Sequence, residues 1–276
     1  MNYRHSFHAG NFADIVKHAL LLWLLERRQV AGDTAVIDTH AGAGVYDLAG
    51  DAARSREAEA GIARLMAAED RPPLIEVLAA EVARLNPGGG AKLYPGSPVL
   101  IANRLRADDR YVGFELNPPV LDLLEQALEP FPQAVGMGGD GYDQARAWAA
   151  RASGSFVLID PPFEQPDDYL RAADTGAAIV RADPRATVAI WTPLKDMETF
   201  DGFLRRLDQA GLKRVLVAEA RLRPLTNPMR MNGCAVVVLN PPAGAEVAAR
   251  EVCGWVAARL GEAGARAEVW MTGGPA

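Results

Sequence analysis

Residues 34–44 read Thr-Ala-Val-Ile-Asp-Thr-His-Ala-Gly-Ala-Gly, a short apolar run that ends in an acid and passes into a glycine-rich turn. An apolar run of this length, bounded by such a turn, predicts a buried strand over residues 34–38 that enters a ligand-binding loop. In open α/β sheets, ligands bind outside the carboxyl ends of the strands. The stretch therefore predicts a cofactor site beside the first strand.

Six further strand candidates follow along the chain, with helix-like segments between most of them. They cover residues 110–116, 134–140, 155–160, 186–192, 213–220 and 233–240. Alternating strands and helices are typical of an α/β fold with a doubly wound, mostly parallel sheet and helices on both faces. A chain of 276 residues with 49% hydrophobic residues can bury one sizeable core, so we expect a single domain over residues 1–276.

Two alanine- and glutamate-rich segments with helical periodicity, residues 51–69 and 72–85, follow the first strand and end at Asn86-Pro87-Gly88-Gly89-Gly90. They predict a small helical insertion over residues 48–92. Another helix is predicted over residues 12–28, ahead of the first strand, with Asn11 as its N-cap.

The net charge of −6 argues against a strongly basic nucleic-acid-binding protein. Four cationic clusters nevertheless leave room for a local positive surface: Arg4/Lys17/Arg27/Arg28, Arg104/Arg106, Arg205/Arg206 and Arg221/Arg223/Arg230.

Cys234 and Cys253 lie in apolar contexts without ligand spacing and are interpreted as buried thiols. The longest apolar run, residues 19–25, is far too short for a membrane span, so we expect a cytoplasmic protein, acting as a monomer. None of the four histidines pairs with another at i, i+4 spacing beside a third ligand, so no metal site is expected.

The glycine loop does not match a dinucleotide-binding pattern, because Asp47 stands at the position of the third glycine. S-adenosylmethionine carries no phosphate, so its loop needs close backbone approach at Gly42 and Gly44 but no anion-binding helix terminus. Asp38 would then face the methionyl ammonium, directly or through water. The alternative is a tight strand-to-helix turn that binds nothing.

The strongest local signal is Val157-Leu158-Ile159-Asp160-Pro161-Pro162-Phe163, an apolar strand that stops at an acid, two prolines and an aromatic residue. An exocyclic amine is a poor nucleophile until acceptors hold its N–H groups, and Asp160 and the Pro161 carbonyl are suitable acceptors. The prolines fix φ and preset the loop for in-line attack on a sulfonium methyl. Phe163 is predicted to stack on the target base. The alternative, simple strand termination, is our interpretation of Asn240-Pro241-Pro242-Ala243, which lacks the aromatic residue.

Three polar groups near other predicted strand ends complete a candidate cofactor cradle. Glu115, at the end of the second main strand, is predicted to accept the ribose hydroxyls. Asp140 is predicted to accept the adenine amino group of the cofactor, and Ser97 is a polar group in a rigid turn. Each could equally be a solvated strand end; their joint placement favours the cradle.

Five motifs occur in order along the chain: Tyr3-Arg4-His5-Ser6-Phe7-His8-Ala9-Gly10-Asn11, Asp14 with Lys17-His18, Asp38-Thr39-His40-Ala41-Gly42-Ala43-Gly44, Tyr94-Pro95-Gly96-Ser97-Pro98 and Asp160-Pro161-Pro162. Together they closely resemble the bacterial RlmJ family of large-subunit (23S) ribosomal RNA adenine-N6 methyltransferases. The resemblance runs from Tyr3 to the strand ending at Asn240, and the N-terminal block is its most specific part.

The resemblance implies a Rossmann-like class I methyltransferase fold with a small helical subdomain inserted after the first strand. It also implies methylation of a specific adenine of 23S ribosomal RNA with S-adenosylmethionine. Phe163 stands where relatives usually carry tyrosine, which keeps the stacking face and loses the hydroxyl. The cofactor contacts that the resemblance implies are His18, His40, Ser97, Glu115, Asp140 and Asp160.

The N-terminal segment is expected to form the RNA-facing wall of the active site. Tyr3 and His5 would hold the flipped base, and Lys17 would neutralise a neighbouring phosphate. A plain amphipathic helix with its lead-in is the alternative.

Two other functions stay open from the sequence. An amino-methyltransferase acting on DNA adenine or on a protein glutamine amide needs the same acid-Pro-Pro-aromatic loop. A catalytically silent RNA-binding module on the same fold is disfavoured by the intact Asp160 and Phe163.

Overall fold

The computed structural model describes residues 8–49, 56–227 and 230–272. Its strands, numbered in chain order, are β1 Ala35–Asp38, β2 Val45–Asp47, β3 Leu93–Pro95, β4 Arg110–Glu115, β5 Ala134–Gly138, β6 Phe156–Ile159, β7 Thr187–Leu194, β8 Val215–Arg221, β9 Gly233–Leu239 and β10 Arg266–Thr272. Its α-helices are α1 Phe12–Val30, α2 Arg64–Ala67, α3 Pro73–Leu85, α4 Ser97–Ala102, α5 Pro118–Leu128, α6 Gly141–Ala149, α7 Asp168–Ala182, α8 Met197–Gln209 and α9 Ala245–Leu260.

Eight strands form one sheet in the order β10-β8-β9-β7-β6-β1-β4-β5. β1 pairs in parallel with β4 and β6, and the parallel pairing continues to β5 on one side and β7 on the other. β9 runs antiparallel to β7 and β8, and β10 runs antiparallel to β8. The predicted α/β fold with a mostly parallel sheet is confirmed. The chain order reverses at β1, so the ligand crevice of such a sheet lies at its carboxyl end.

Helix α1 begins where the sequence predicts. The Asn11 side chain accepts hydrogen bonds from the backbone N–H groups of Ala13 and Asp14. Residues 13–25 are all buried because the helix packs against α3, α4 and α9. The helix ends at Val30, two residues beyond the predicted end.

The predicted insertion is bracketed by a small antiparallel pair, β2 with β3, in which Tyr46 opposes Tyr94. Between these strands, a π-helical turn at Glu59–Ala63 leads into α2, which ends because Ala68 is extended. The predicted helix over residues 51–69 therefore ends two residues early, and residues 51–55 lie outside the described part. Ile62 and Leu65 share one hydrophobic core with α1, so these helices pack on the main body.

Several strands begin or end within a few residues of the predicted positions. β5 stops at Gly138, and Asp140 is the N-cap of α6 rather than a strand end. β7 continues past residue 192 to Leu194, paired antiparallel with β9. β9 stops at Leu239, before Asn240-Pro241-Pro242, as predicted. No helix in the described ranges is long and apolar enough to cross a membrane.

Candidate active site

A cleft with a volume of about 1200 Å³ opens at the carboxyl ends of β1, β4, β6 and β7. Single-ligand pockets usually occupy about 300–1000 Å³, so this cleft has room for two ligands. Most of the predicted site residues lie along it: Lys17, His18, His40, Gly42, Ser97, Glu115, Asp140, Asp160 and Pro161. Asp38, Gly44 and Phe163 do not line it. Tyr3 and His5 lie outside the described residues.

The glycine loop leaves β1 and enters the short strand β2, not a helix. Gly42 has φ +66°, and a Cβ there would stand 2.2 Å from the Tyr46 hydroxyl. Gly44 has φ +79°, and its Cβ would meet Ala127 at 2.7 Å. Both positions need glycine, Gly42 beside the cleft and Gly44 for packing against α5.

Asp38, which is predicted to face the methionyl ammonium directly or through water, is fully buried and does not line the cleft in this structure. Its carboxylate accepts hydrogen bonds from the Ser97 hydroxyl at 2.7 Å, the Tyr111 hydroxyl at 3.3 Å and the His40 backbone N–H at 3.3 Å. Burial raises the pKa of Asp38 to about 6, although the Ser97 hydrogen bond lowers it. Asp38 thus positions two cleft-lining residues, Ser97 and His40.

Two histidines line the cleft in different settings. His18 is buried, and its Nδ1 lies 2.7 Å from the hydroxyl of Tyr94. His40 Nδ1 lies 2.7 Å from Thr39 Oγ1, and the His40 ring packs edge-on against Tyr142. Burial lowers the pKa of His40 to about 4, although Asp140 raises it. His40 is therefore a neutral imidazole near pH 7.

Glu115 and Asp140 both line the cleft, but they differ in how many hydrogen bonds their carboxylates already accept. The Glu115 carboxylate accepts one backbone N–H at each oxygen, from Gly42 at 3.2 Å and Asn117 at 2.8 Å. Asp140 accepts two N–H groups of its own helix at Oδ1 and the Arg171 guanidinium at Oδ2, 2.6 Å away. Burial raises the pKa of Asp140, but Arg171 and the two backbone N–H groups together lower it to below its ordinary value. Glu115 therefore has more capacity than Asp140 to accept hydrogen bonds from a ligand.

Asp160 follows β6 and meets α1 across the cleft. Its Oδ2 lies 2.5 Å from Lys17 Nζ, which also lies 2.9 Å from Asp14 Oδ1. Burial lowers the pKa of Lys17, but Asp14 and Asp160 raise it more, so its ammonium is held charged. The Lys17 side chain is only 5% exposed. The ammonium is already paired with two carboxylates, so its predicted role in neutralising a phosphate stays a prediction that this arrangement does not support.

Phe163, which is predicted to stack on the target base, does not line the cleft in this structure. Its φ of +51° lies in the left-handed region, and its side chain is buried. The ring centroid lies 4.4 Å from that of Tyr169 and 5.8 Å from that of Trp191. The loop thus places Pro161 and Pro162 at the cleft and the Phe163 ring in an aromatic cluster behind it.

Among the cleft residues that were not predicted from the sequence, Arg171 and Trp191 contact predicted site residues or lie close to them. Arg171 on α7 lies over the ring of Tyr142, 4.3 Å from its centroid, and holds Asp140. Trp191 on β7 lines the cleft beside Asp160. The sequence signal for Trp191 is its position near the carboxyl end of a predicted strand. No local sequence pattern indicates that Arg171 belongs to the site. Within residues 8–49, 56–227 and 230–272, no group of three or more potential ligands could hold a metal ion.

Comparison with known proteins gives a consistent result. The family model described as Ribosomal RNA large subunit methyltransferase D, RlmJ, matches residues 32–272. Two relatives named Ribosomal RNA large subunit methyltransferase J are each 31% identical to this chain. The relative from Escherichia coli (strain K12) aligns over 96% of this chain and 95% of its own length. The one from Haemophilus influenzae (Rd) aligns over 91% of each.

A crystal structure of a protein from Legionella pneumophila shares the fold, with a TM-score of 0.85 at 24% identity over 96% of this chain and 98% of that one. The extent of the family match and the identity to both relatives agree with the motif order along the chain. The chain therefore belongs to the RlmJ family.

Proposed function

We propose that this protein transfers a methyl group from S-adenosylmethionine to the N6 amino group of an adenine in large-subunit (23S) ribosomal RNA. The observation that carries the proposal is that the Asp160-Pro161-Pro162 loop opens into the same cleft as the glycine loop and Glu115. Family membership and the names of the two relatives support the substrate class.

The cleft has the chemistry that this cofactor needs. The glycine loop runs into β2, so it lacks the helix N-terminus with which nucleotide-binding loops hold phosphates. Carboxylates dominate the lining, which suits a ligand that carries a sulfonium and an ammonium: Asp14, Asp47, Glu57, Glu115, Asp140, Asp160, Glu164 and Asp168, against Lys17, Arg171 and Lys195.

We assign the ribose hydroxyls to Glu115, whose oxygens each have a lone pair left after one backbone hydrogen bond. The loop around Gly42 gives close backbone approach, and Ser97, held by Asp38, borders the same part of the cleft. We retain Asp140 as the acceptor for the adenine amino group, although Arg171 and two backbone N–H groups already use its oxygens. When bound, S-adenosylmethionine supplies an electrophilic methyl group.

Asp160 and Pro161 orient the target amine. Among the described residues, only Lys17 donates to the Asp160 side chain, and it does so at Oδ2. Oδ1 is thus open to accept a hydrogen bond from the amine, while the Pro161 carbonyl accepts from its second N–H. Two acceptors on one nitrogen favour the pyramidal geometry in which its lone pair is available for attack. The Lys17 ammonium keeps the carboxylate fixed at the bottom of the cleft.

The proposal is tested by incubating the protein with labelled S-adenosylmethionine and total RNA from a strain lacking the gene, followed by nucleoside analysis. Labelled N6-methyladenosine in large-subunit RNA is expected. Asp160→Ala should lower the rate about 10²- to 10³-fold, as loss of one transition-state hydrogen-bond group does in other enzymes. Label in DNA or protein but not in RNA would replace the substrate class, and cofactor binding without any transfer would favour a silent RNA-binding module.

A further inference from the structure

Trp191 is the aromatic residue best placed to meet a substrate base. It lies on β7, where it is the single half-buried residue in a strand that is otherwise fully buried. Ile190 of β7 is the register partner of Ile159 of β6, so Trp191 and Asp160 are the next residues along two paired strands. The other tyrosine, phenylalanine and tryptophan side chains that line the cleft within the described part of the chain are buried: Tyr46, Phe114 and Tyr142.

The Trp191 ring and the Asp160 carboxylate face the same charged group. Lys17 Nζ lies over the ring, 5.9 Å from its centroid, and 2.5 Å from Asp160 Oδ2. The Phe163 ring packs against Trp191 edge to face, which fixes the orientation of the indole. An adenine stacked on this indole would present its amino edge to Asp160 and its π face to Trp191.

The cleft lining near Trp191 also includes the exposed side chain of Lys195. Pro193, Lys195 and Met231 also line the cleft, and the Asn232 backbone N–H donates to the Leu194 carbonyl, which brings the segments around Met231 and Lys195 together. Lys195 is exposed at the rim, and its ammonium has no ion-pair partner in the part of the chain described here. Its acidic neighbour Asp196 instead caps α8 by accepting from Thr199. A nucleotide whose base lies at Trp191 therefore has a cation toward which its phosphate can extend.

We propose that Trp191 is a stacking surface for the target base, and that Lys195 binds a flanking phosphate of the RNA. This inference rests on the proposed function, since it names how that substrate is held.

The stacking part is tested by tryptophan fluorescence with adenosine 5′-monophosphate as the probe, in the presence of S-adenosylhomocysteine. The chain has five tryptophans, so Trp191→Phe removes one reporter and keeps an aromatic surface. Trp270→Phe on β10 is the matched control, because Trp270 is also half-buried but does not line the cleft. Quenching is expected in the wild type and in Trp270→Phe and should be lost in Trp191→Phe. Quenching that persists in Trp191→Phe would overturn the assignment.

Turnover is measured on the same variants. Trp191→Leu should lower kcat/KM for RNA on the order of tenfold to a hundredfold, the usual effect of removing one base-stacking ring, with S-adenosylmethionine affinity within about twofold of the wild type. Normal kcat/KM in a folded Trp191→Leu protein would refute the inference. If Trp191→Leu does not fold, the fluorescence of Trp191→Phe still decides.

Lys195→Gln tests the phosphate contact at an exposed site where folding is not at risk. It should weaken binding of adenosine 5′-monophosphate but not of adenosine, and reduce the slope of log affinity for RNA against log salt concentration by about 1. An unchanged slope removes Lys195 from the substrate wall. Failure of the proposed function would appear differently, as absence of methyl transfer by the wild-type protein.

Discussion

Replacing Asp38 with asparagine is expected to remove a pH dependence from the free energy of unfolding. Asp38 is fully buried and accepts hydrogen bonds from Ser97, Tyr111 and the His40 backbone. Asparagine resembles the protonated acid in shape and hydrogen-bonding groups but does not ionise. The variant therefore isolates the cost of holding a carboxylate beneath the cleft.

The sign follows from the direction of the pKa shift. Burial raises the pKa of Asp38 from an ordinary value of 3.8 to about 6. Between these values the folded state holds a proton that the unfolded state has lost, so rising pH favours unfolding. The stability contribution is fully present below about pH 4 and is lost as the pH rises through about 6. Each pKa unit is worth about 1.4 kcal/mol, so the loss amounts to about 3 kcal/mol.

Urea unfolding of the wild type and Asp38→Asn between pH 4.5 and 7.5 measures this contribution as a difference. Groups common to both proteins, such as His40, largely cancel in that difference. The wild type should lose stability relative to the variant as the pH rises. Ser97→Ala provides a second arm: it removes a donor that lowers the Asp38 pKa, so the transition should move to higher pH. A difference that is flat over this range, or that grows in favour of the wild type with rising pH, contradicts the reasoning.

Three further substitutions test other parts of the site. Lys17→Met removes the cation that pairs with Asp14 and Asp160 and should lower the free energy of unfolding by roughly 3–5 kcal/mol in urea titrations. Adding Asp160→Asn should restore part of the loss, and no restoration would argue against the pairing. Glu115→Ala should weaken S-adenosylmethionine binding in calorimetry without changing RNA binding, and an unchanged cofactor affinity would exclude Glu115 from the ribose site. Phe163→Leu should lower the free energy of unfolding by about 1 kcal/mol through lost ring contact with Tyr169, and wild-type stability would show that this contact contributes nothing.

Most of the main strands could be predicted because they are buried apolar runs between turns, and the mostly parallel sheet could be predicted from their alternation with helices. Three strands were missed for identifiable reasons. Val45–Asp47 and Leu93–Pro95 have three residues each, too few for any periodicity. Arg266–Thr272 is an edge strand with mostly half-buried or exposed residues, so its composition lacks an apolar run.

The cleft residues at strand ends could be predicted because parallel strands bring their carboxyl ends to one edge. This rule found Glu115 and Asp160, but it says nothing about the depth of a side chain. Asp38 ends β1 at the same edge and yet lies beneath the cleft, because Ser97 and Tyr111 from other elements cover it. Depth depends on contacts distant in sequence, which local pattern does not encode.

The buried ion pair of Lys17 could have been predicted in part from its position in helix α1. As one of several basic residues near the N-terminus, it suggested a phosphate contact. Its position within the buried run of α1 is more informative, since a lysine there must find a counter-charge. Asp14, one turn earlier, supplies one carboxylate, and the i, i+3 spacing could have predicted a buried pair. The second carboxylate, Asp160, lies 143 residues away and could not be predicted. That contact joins helix α1 to the Asp160-Pro161-Pro162 loop, so substitutions at Lys17 should be judged by their effect on Asp160 before any effect on RNA affinity is considered.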